Sequence, residues 1–202
     1  HAPFDRGAAG RICADRGATL VPPFDDPHVI AGQGTVGLEI AQAWPSVEIA
    51  LIPVGGGGLA SGVALALKSR CPDVRILGVE PAAADDARQS LHAGHIVRIP
   101  QPRTIADGVA TQAIGRHTFP ILRALLDDII PVSEPQILAA MEFILTRTKQ
   151  LIEPTGALST AVALSRLAPL SGRRVVSILC GGNLDVAPLI HADRERPCHL
   201  VH

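Results

Sequence analysis

Four consecutive glycines, at positions 55 to 58, separate a short apolar run from a longer amphipathic stretch. The apolar run, residues 49–54 (IALIPV), predicts a buried strand, and residues 59–70 (LASGVALALKSR) predict a helix. Residues 75–80 (RILGVE) predict the next strand, which completes a β-α-β unit with a right-handed crossover. A glycine loop at the start of a helix presents backbone N–H groups to an anion, most often a phosphate.

The remaining pattern repeats this alternation of short apolar runs and longer helical stretches. Residues 136–150 and 156–167 predict helices, and residues 174–180 (RVVSILC) predict a third buried strand. This order is typical of an α/β fold in which helices flank a parallel sheet. Residues 18–21 predict a further strand without an evident partner, which indicates neighbouring structure that this sequence does not supply.

Composition excludes several classes of protein. The 202 residues carry 18 basic and 19 acidic side chains, and no Lys/Arg-rich run predicts a surface for nucleic acid or an anionic membrane. No apolar stretch is long enough for a membrane span, and the first residues do not resemble a signal peptide. The four cysteines (Cys13, Cys71, Cys180 and Cys198) form no CxxC pair, which predicts neither a zinc site nor a disulfide framework and favours a cytoplasmic location.

The glycine loop by itself can be compared with a P-loop, with a dinucleotide-binding loop and with a turn that binds no ligand. A P-loop requires Gly-Lys-Ser/Thr after the glycines, and Leu59-Ala60-Ser61 does not provide it. A dinucleotide fold remains open, because the glycine spacing fits the looser fingerprint and Glu80 lies where a ribose-binding acid is expected. That alternative is an NAD-dependent oxidoreductase. A turn that serves only close helix packing is the third possibility.

Five segments in order carry a resemblance to a known family. They are residues 29–35 (VIAGQGT), 53–59 (PVGGGGL), 105–109 (IADGV), 153–157 (EPTGA) and 180–183 (CGGN). The chain resembles the threonine dehydratase and serine racemase family of pyridoxal-phosphate enzymes, which has the tryptophan synthase β-like fold, also called fold type II. The resemblance implies a large α/β domain at residues 31–190, a remnant of the smaller domain and crossover at 1–30, and a polar tail at 191–202.

The resemblance also implies a cofactor site. Gly55, Gly56, Gly57, Gly58 and Leu59 would hold the phosphate of pyridoxal 5′-phosphate. Glu153 would lie near the cofactor ring, and Cys180 would face the pyridine nitrogen. The alternative for Cys180 is a small buried hydrophobic residue.

A neutral thiol at that position would leave the pyridine nitrogen largely unprotonated, which favours β-elimination. We therefore expect dehydration and deamination of L-threonine or L-serine to an α-keto acid and ammonia. A serine racemase, a hydroxyaspartate dehydratase and a non-catalytic pseudoenzyme that binds a phosphorylated ligand are the alternatives.

Two further sites follow from the resemblance. Glu80, the Ala84 carbonyl and Asp86 match a divalent-cation site, where hard oxygen ligands would bind Mg²⁺ or Ca²⁺. The alternative is that Asp85 and Asp86 cap the helix toward Ala93 and that Glu80 is a solvated strand end. Lys149 and Asn183 match positions that contact a nucleotide in mammalian serine racemases, although a helical lysine is usually only solvated.

The catalytic lysine of the family has no counterpart here. Schiff-base chemistry requires a lysine amine, which the family carries in a Ser-Phe-Lys-x-Arg-Gly-Ala-like segment. The two lysines of this chain, Lys68 and Lys149, lack that context. We therefore expect a C-terminal portion of a longer enzyme, which contains no catalytic residue of its own and cannot hold the cofactor covalently in isolation. The resemblance further implies a small amino-acid substrate and a homo-oligomer, a dimer or a tetramer.

Overall fold

A four-stranded parallel sheet forms the centre of the computed structural model, which describes residues 6–185. The strands are β1 (Ile49–Pro53), β2 (Arg75–Pro81), β3 (Asp128–Val132) and β4 (Val175–Ser177), in the order β3-β2-β1-β4. In the register of the sheet, Ile49 lies opposite Arg75 on one side and Val175 on the other.

The described residues also form seven helices. They are α1 (Arg6–Arg16), α2 (Pro27–Ala43), α3 (Gly58–Arg70), α4 (Asp86–Ala93), α5 (Thr118–Leu125), α6 (Glu134–Thr148) and α7 (Pro154–Leu164), with a short 3₁₀ turn at Asp107–Val109. The carboxyl ends of the strands, where ligands usually bind in α/β proteins, lead into the loops that hold the predicted site residues.

The central strand β1 separates two apolar cores. Ala50 and Ile52 point into the core formed with α3 and α5, whereas Ile49 and Leu51 point into the core formed with α6 and α7. Successive side chains of a strand alternate between its faces. Both faces of the sheet are thus covered, as the uninterrupted apolar sequence of β1 predicts, and the predicted fold class is confirmed.

Local contacts fix where several elements begin. The Asp26 carboxylate accepts the N–H groups of His28 and Val29 at 2.8 and 3.2 Å, which caps α2. At the amino end of the sheet, Glu48 accepts the Arg174 N–H at 2.9 Å and contacts the Arg173 guanidinium at 3.1 Å. These contacts hold the start of the short strand β4 against β1.

Some sequence predictions need correction. The strand predicted at residues 18–21 is wrong, because this segment is irregular and leads into Pro22 and Pro23. The helices predicted at 136–150 and 156–167 begin two residues earlier than expected, and each ends two or three residues earlier.

Two points of the domain organisation stay predictions. Helix α2 runs through residue 30, where the expected division between 1–30 and 31–190 lies. The expected tail at 191–202 lies outside the described residues. None of the helices in residues 6–185 combines the length and apolar character needed to cross a membrane.

Candidate functional site

The predicted site residues meet at the carboxyl edge of the sheet. The glycine loop follows β1, and Cys180 lies three residues after the end of β4. The 3₁₀ turn closes over this edge, because the Gly108 N–H donates to the Thr155 hydroxyl at 3.1 Å. Val109 in the same turn packs against Gly55. Three of the five sequence motifs, one of them at the start of α7, therefore contact one another at this edge.

One side of the glycine loop is packed against protein. A side chain at Gly56 would overlap the ring of Phe24, and one at Gly57 would come within 2.9 Å of Thr118. Gly57 also has a φ of 94°, a backbone conformation that favours glycine, and it is the N-cap of α3. The glycines are thus needed for close packing as well as for any ligand.

The other side of the loop presents unused hydrogen-bond donors. Within the described residues, the backbone N–H groups of Gly55, Gly56, Gly57, Gly58 and Leu59 donate to no protein group. We call these five N–H groups the phosphate cradle. The first amides of a helix have no partner inside the helix, and they bind anions well. The cradle therefore fits the phosphate of pyridoxal 5′-phosphate.

Cys180 and Glu153 form the second part of the site. Glu153 is the N-cap of α7, and its carboxylate accepts the Asn183 N–H at 2.9 Å. The backbone N–H of Glu153 donates to the Gly181 carbonyl at 3.4 Å. Burial of the half-buried Cys180 raises the pKa of its thiol to about 11, and the Glu153 charge adds to this shift. The thiol is therefore neutral near pH 7.

Glu80 is completely buried at the end of β2. Its two carboxylate oxygens accept the N–H groups of Ala87 and Arg88, both at 3.0 Å, in the first turn of α4. Burial raises the pKa of Glu80 well above its ordinary value, and the charge of Asp86 adds to this. Glu80 is therefore no solvated strand end, and it is turned onto α4 rather than available to a nucleotide ribose.

Asp86 is also fully buried. Its Oδ1 accepts the Thr111 hydroxyl at 3.2 Å, whereas its Oδ2 has no partner in the protein. Burial raises the pKa of Asp86 from 3.8 to about 7. In residues 6–185 no group of three or more His, Cys, Asp or Glu side chains is arranged around a metal site. Glu80, Asp86 and the Ala84 carbonyl would thus supply only part of a cation's ligands.

Neither lysine lies at the phosphate cradle. Lys68 is in the last turn of α3, about 15 Å along the helix from Gly58 at 1.5 Å per residue. Its amine lies 3.8 Å from the Asp127 carboxylate. The Lys149 amine donates to the Thr146 carbonyl at the end of α6, and no hydrogen bond among the described residues joins it to Asn183.

Comparison with known proteins places the chain in a family. The family model of pyridoxal-phosphate dependent enzymes matches residues 3–181. The L-threonine ammonia-lyase of Geobacter sulfurreducens is 48% identical over 186 residues, which are 91% of this chain and 46% of that protein. The L-threo-3-hydroxyaspartate ammonia-lyase of Saccharomyces cerevisiae is 44% identical over 197 residues, 96% of this chain and 60% of that protein.

A solved structure supports the same relationship. Maize serine racemase superposes with a TM-score of 0.86 at 38% identity, and the match covers 92% of this chain and 58% of that one. The chain thus spans about half to three-fifths of the length of these relatives. Since the family model covers nearly the whole chain, and since the glycine loop fits its cofactor, the chain belongs to the family of pyridoxal-phosphate-dependent enzymes.

Proposed function

We propose that the protein catalyses the pyridoxal-phosphate-dependent β-elimination of a small β-hydroxy amino acid, L-threonine or L-serine. The amino acid loses water across its α and β carbons, and hydrolysis of the resulting enamine returns that water and yields an α-keto acid and ammonia. The observation that carries this proposal is the neutral Cys180 thiol at the end of β4. The Geobacter L-threonine ammonia-lyase, 48% identical to this chain, supports it.

The residues of the chain would hold the cofactor at two ends. The five N–H groups of the phosphate cradle would bind its phosphate, and Cys180 would face its pyridine nitrogen. When bound, pyridoxal phosphate supplies an electron-accepting ring for the negative charge that forms at the substrate's α-carbon.

The Cys180 thiol would set how strongly the bound cofactor accepts that charge. With a pKa of about 11, Cys180 keeps its proton and transfers none to the ring nitrogen near pH 7. Next to a neutral thiol, bound pyridoxal phosphate would supply a weaker electron acceptor, which would favour loss of the β-hydroxyl over reprotonation at the α-carbon. Glu153 contributes by accepting the Asn183 N–H and so fixing the loop that carries the thiol.

The test measures ammonia and α-keto acid from L-threonine and L-serine with the 202-residue chain and pyridoxal 5′-phosphate. Because neither Lys68 nor Lys149 lies at the cradle, the mixture includes propylamine, a primary amine that can take the place of a lysine side chain. We expect equimolar ammonia and α-keto acid, formed faster with the protein than without it, because the phosphate cradle would hold the cofactor beside the neutral Cys180 thiol.

A matched pair of variants controls the assay. Gly56→Ala should abolish product formation, because the added methyl overlaps the Phe24 ring beside the cradle. Gly32→Ala, whose methyl meets no described atom within 4 Å, should leave the rate unchanged. Racemised serine without ammonia would favour the serine racemase alternative. Cofactor binding without turnover would favour a non-catalytic protein, and binding of NAD instead would favour an oxidoreductase.

A second candidate substrate is L-threo-3-hydroxyaspartate. The Saccharomyces relative named for that substrate is 44% identical over 96% of this chain. The same assay with this amino acid separates the two candidates. If hydroxyaspartate is the substrate, oxaloacetate forms faster from it than α-keto acid forms from threonine.

We also propose a divalent-cation site at Glu80, Asp86 and the Ala84 carbonyl. The buried Asp86 Oδ2, which has no protein partner, fits a Mg²⁺ or Ca²⁺ ligand. Waters would complete the coordination shell. The change in unfolding temperature on addition of Mg²⁺ or Ca²⁺ tests this site. The nucleotide contacts of Lys149 and Asn183, the homo-oligomer and the cytoplasmic location stay predictions.

A further inference from the structure

We propose that Thr118 is a positioning residue for the cofactor phosphate. Its hydroxyl fixes the peptide between Gly56 and Gly57, so that the Gly57 N–H points into the phosphate cradle. This inference rests on the proposed function, because it requires the cofactor phosphate at the glycine loop. Thr118 lies outside all five sequence motifs and 62 positions after Gly56.

The hydroxyl of Thr118 lies in a closed set of hydrogen bonds. Thr118 begins α5 and is completely buried. Its Oγ1 is 2.7 Å from the Gly56 carbonyl oxygen and 3.2 Å from the Gly115 carbonyl oxygen. A hydroxyl has one proton to donate, and the shorter contact assigns it to Gly56. The same oxygen accepts the Gly115 N–H at 3.0 Å.

The Gly56 carbonyl is thereby held by two donors. Besides Thr118, the Gly115 N–H reaches the Gly56 carbonyl oxygen at 3.1 Å. The single Gly115 proton is shared between this oxygen and Thr118 Oγ1, so Thr118 makes the shorter contact with the Gly56 carbonyl. In a trans peptide, the only kind among the described residues, the N–H points away from the carbonyl oxygen. The Gly57 N–H is therefore turned away from Thr118, toward the side of the loop where its donor is unused.

A glycine loop needs such a constraint. A peptide between two glycines rotates at little steric cost, and rotation would turn the Gly56 carbonyl toward the ligand. A carbonyl oxygen repels phosphate, whereas a fixed N–H attracts it without reorganisation. Asp25 secures the segment that carries Thr118, because its carboxylate accepts the N–H groups of Arg116 and His117 at 3.0 and 2.7 Å.

The experiment compares the affinities of two ligands, pyridoxal 5′-phosphate and pyridoxal, by titration calorimetry on the 202-residue chain. Thr118→Val removes the hydroxyl and keeps the shape of the side chain, whereas Thr118→Ser keeps the hydroxyl. We expect Thr118→Val to weaken pyridoxal 5′-phosphate binding about tenfold, because the Gly57 N–H, no longer fixed, would lose its hydrogen bond to the charged phosphate. Pyridoxal, which has no phosphate, should bind the unmodified chain and Thr118→Val equally. Thr118→Ser should bind pyridoxal 5′-phosphate within about twofold of the unmodified chain.

Thr146→Val is the matched control, since its hydroxyl also donates to a carbonyl, that of Glu142, but within α6. It should leave both affinities unchanged. An undiminished affinity of Thr118→Val for pyridoxal 5′-phosphate would overturn the inference. Equal losses for both ligands would also overturn it, because they would indicate a merely structural role.

Two further outcomes are decisive. If the unmodified chain binds neither pyridoxal 5′-phosphate nor inorganic phosphate, the proposed function fails and this inference fails with it. If Thr118→Val does not fold, Thr118→Cys replaces it, because a thiol is a weaker donor of similar size. If Thr118→Cys binds pyridoxal 5′-phosphate more weakly than the unmodified chain, the inference is supported. An unchanged affinity of Thr118→Cys contradicts it.

Discussion

Cys180 illustrates how a single residue can carry the chemistry of this site. Burial of the thiol and the nearby Glu153 carboxylate raise its pKa to about 11. Only the thiolate reacts with iodoacetamide. At pH 8 we therefore expect Cys180 to be alkylated on the order of a hundredfold more slowly than a free cysteine with a pKa near ~8.5. The rate should rise about tenfold with each pH unit up to about pH 10.

Peptide mapping by mass spectrometry follows Cys180 separately from the other thiols. Cys71, which is half-buried near the amino end of the sheet, serves as the internal comparison in the same sample. Alkylation of Cys180 with an inflection near pH 8.5 would contradict the neutral thiol. It would also remove the observation on which the proposed elimination depends.

At the residue level, the sequence motifs located three candidate positions. The structure brings the glycine loop, Glu153 and Cys180 to one edge of the sheet, whereas their roles at a cofactor stay predictions. Phe24 and Thr118 were missed, although both contact the glycine loop. Their contacts join segments that are far apart in sequence, so no local pattern indicates them. Glu80 was assigned to the right strand end, but its turn onto α4 depends on burial, which the sequence does not report.

At the scale of elements, glycines allow α2 and α3 to pack closely against each other. A methyl group at Gly62 of α3 would overlap the Ile30 carbonyl oxygen and approach the Gly34 nitrogen to 2.7 Å. Because these are backbone atoms, the two helices would have to move apart. We expect Gly62→Ala to lower the free energy of unfolding by about 1–3 kcal/mol, the usual cost of overpacking.

Urea denaturation measures this change, and Gly32→Ala is the control on the same helix pair. A methyl at Gly32 meets no described atom within 4 Å, so alanine should raise the free energy of unfolding by about 0.5–1 kcal/mol. Equal effects of the two substitutions would show that helix propensity, and not close packing, governs this interface.

The residue composition of each element explains whether the sequence predicted it. The unit from β1 to β2 was located to within one residue, since its strands are uninterrupted apolar runs and its loop is glycine. Helix α2 was missed because its three glycines weaken the helical pattern, although two of them are buried against α3. Strand β3 was missed because Pro131 interrupts a short run.

At the scale of the whole molecule, two buried carboxyl groups couple stability to pH. Burial raises the pKa of Asp86 from its ordinary 3.8 to about 7, and the pKa of Glu80 is raised in the same direction. The folded chain therefore binds more protons than the unfolded chain between about pH 4 and pH 7. For Asp86, the stabilisation from proton binding is complete below the pKa of the unfolded chain, about 3.8. It is lost as pH rises through the pKa of the folded chain, about 7.

We expect the free energy of unfolding to fall over this interval by a few kcal/mol, since each pKa unit is worth about 1.36 kcal/mol. Asp86→Asn should flatten this dependence of stability on pH, whereas Asp73→Asn, which changes an exposed aspartate, should not.

A divalent cation would favour the ionised carboxylates, so Mg²⁺ or Ca²⁺ should raise the unfolding temperature at pH 8 and much less at pH 5. Asp86→Asn should lose this response. If stability depends on pH as expected but no cation raises the unfolding temperature at pH 8, the buried carboxyl groups are supported and the metal site is contradicted.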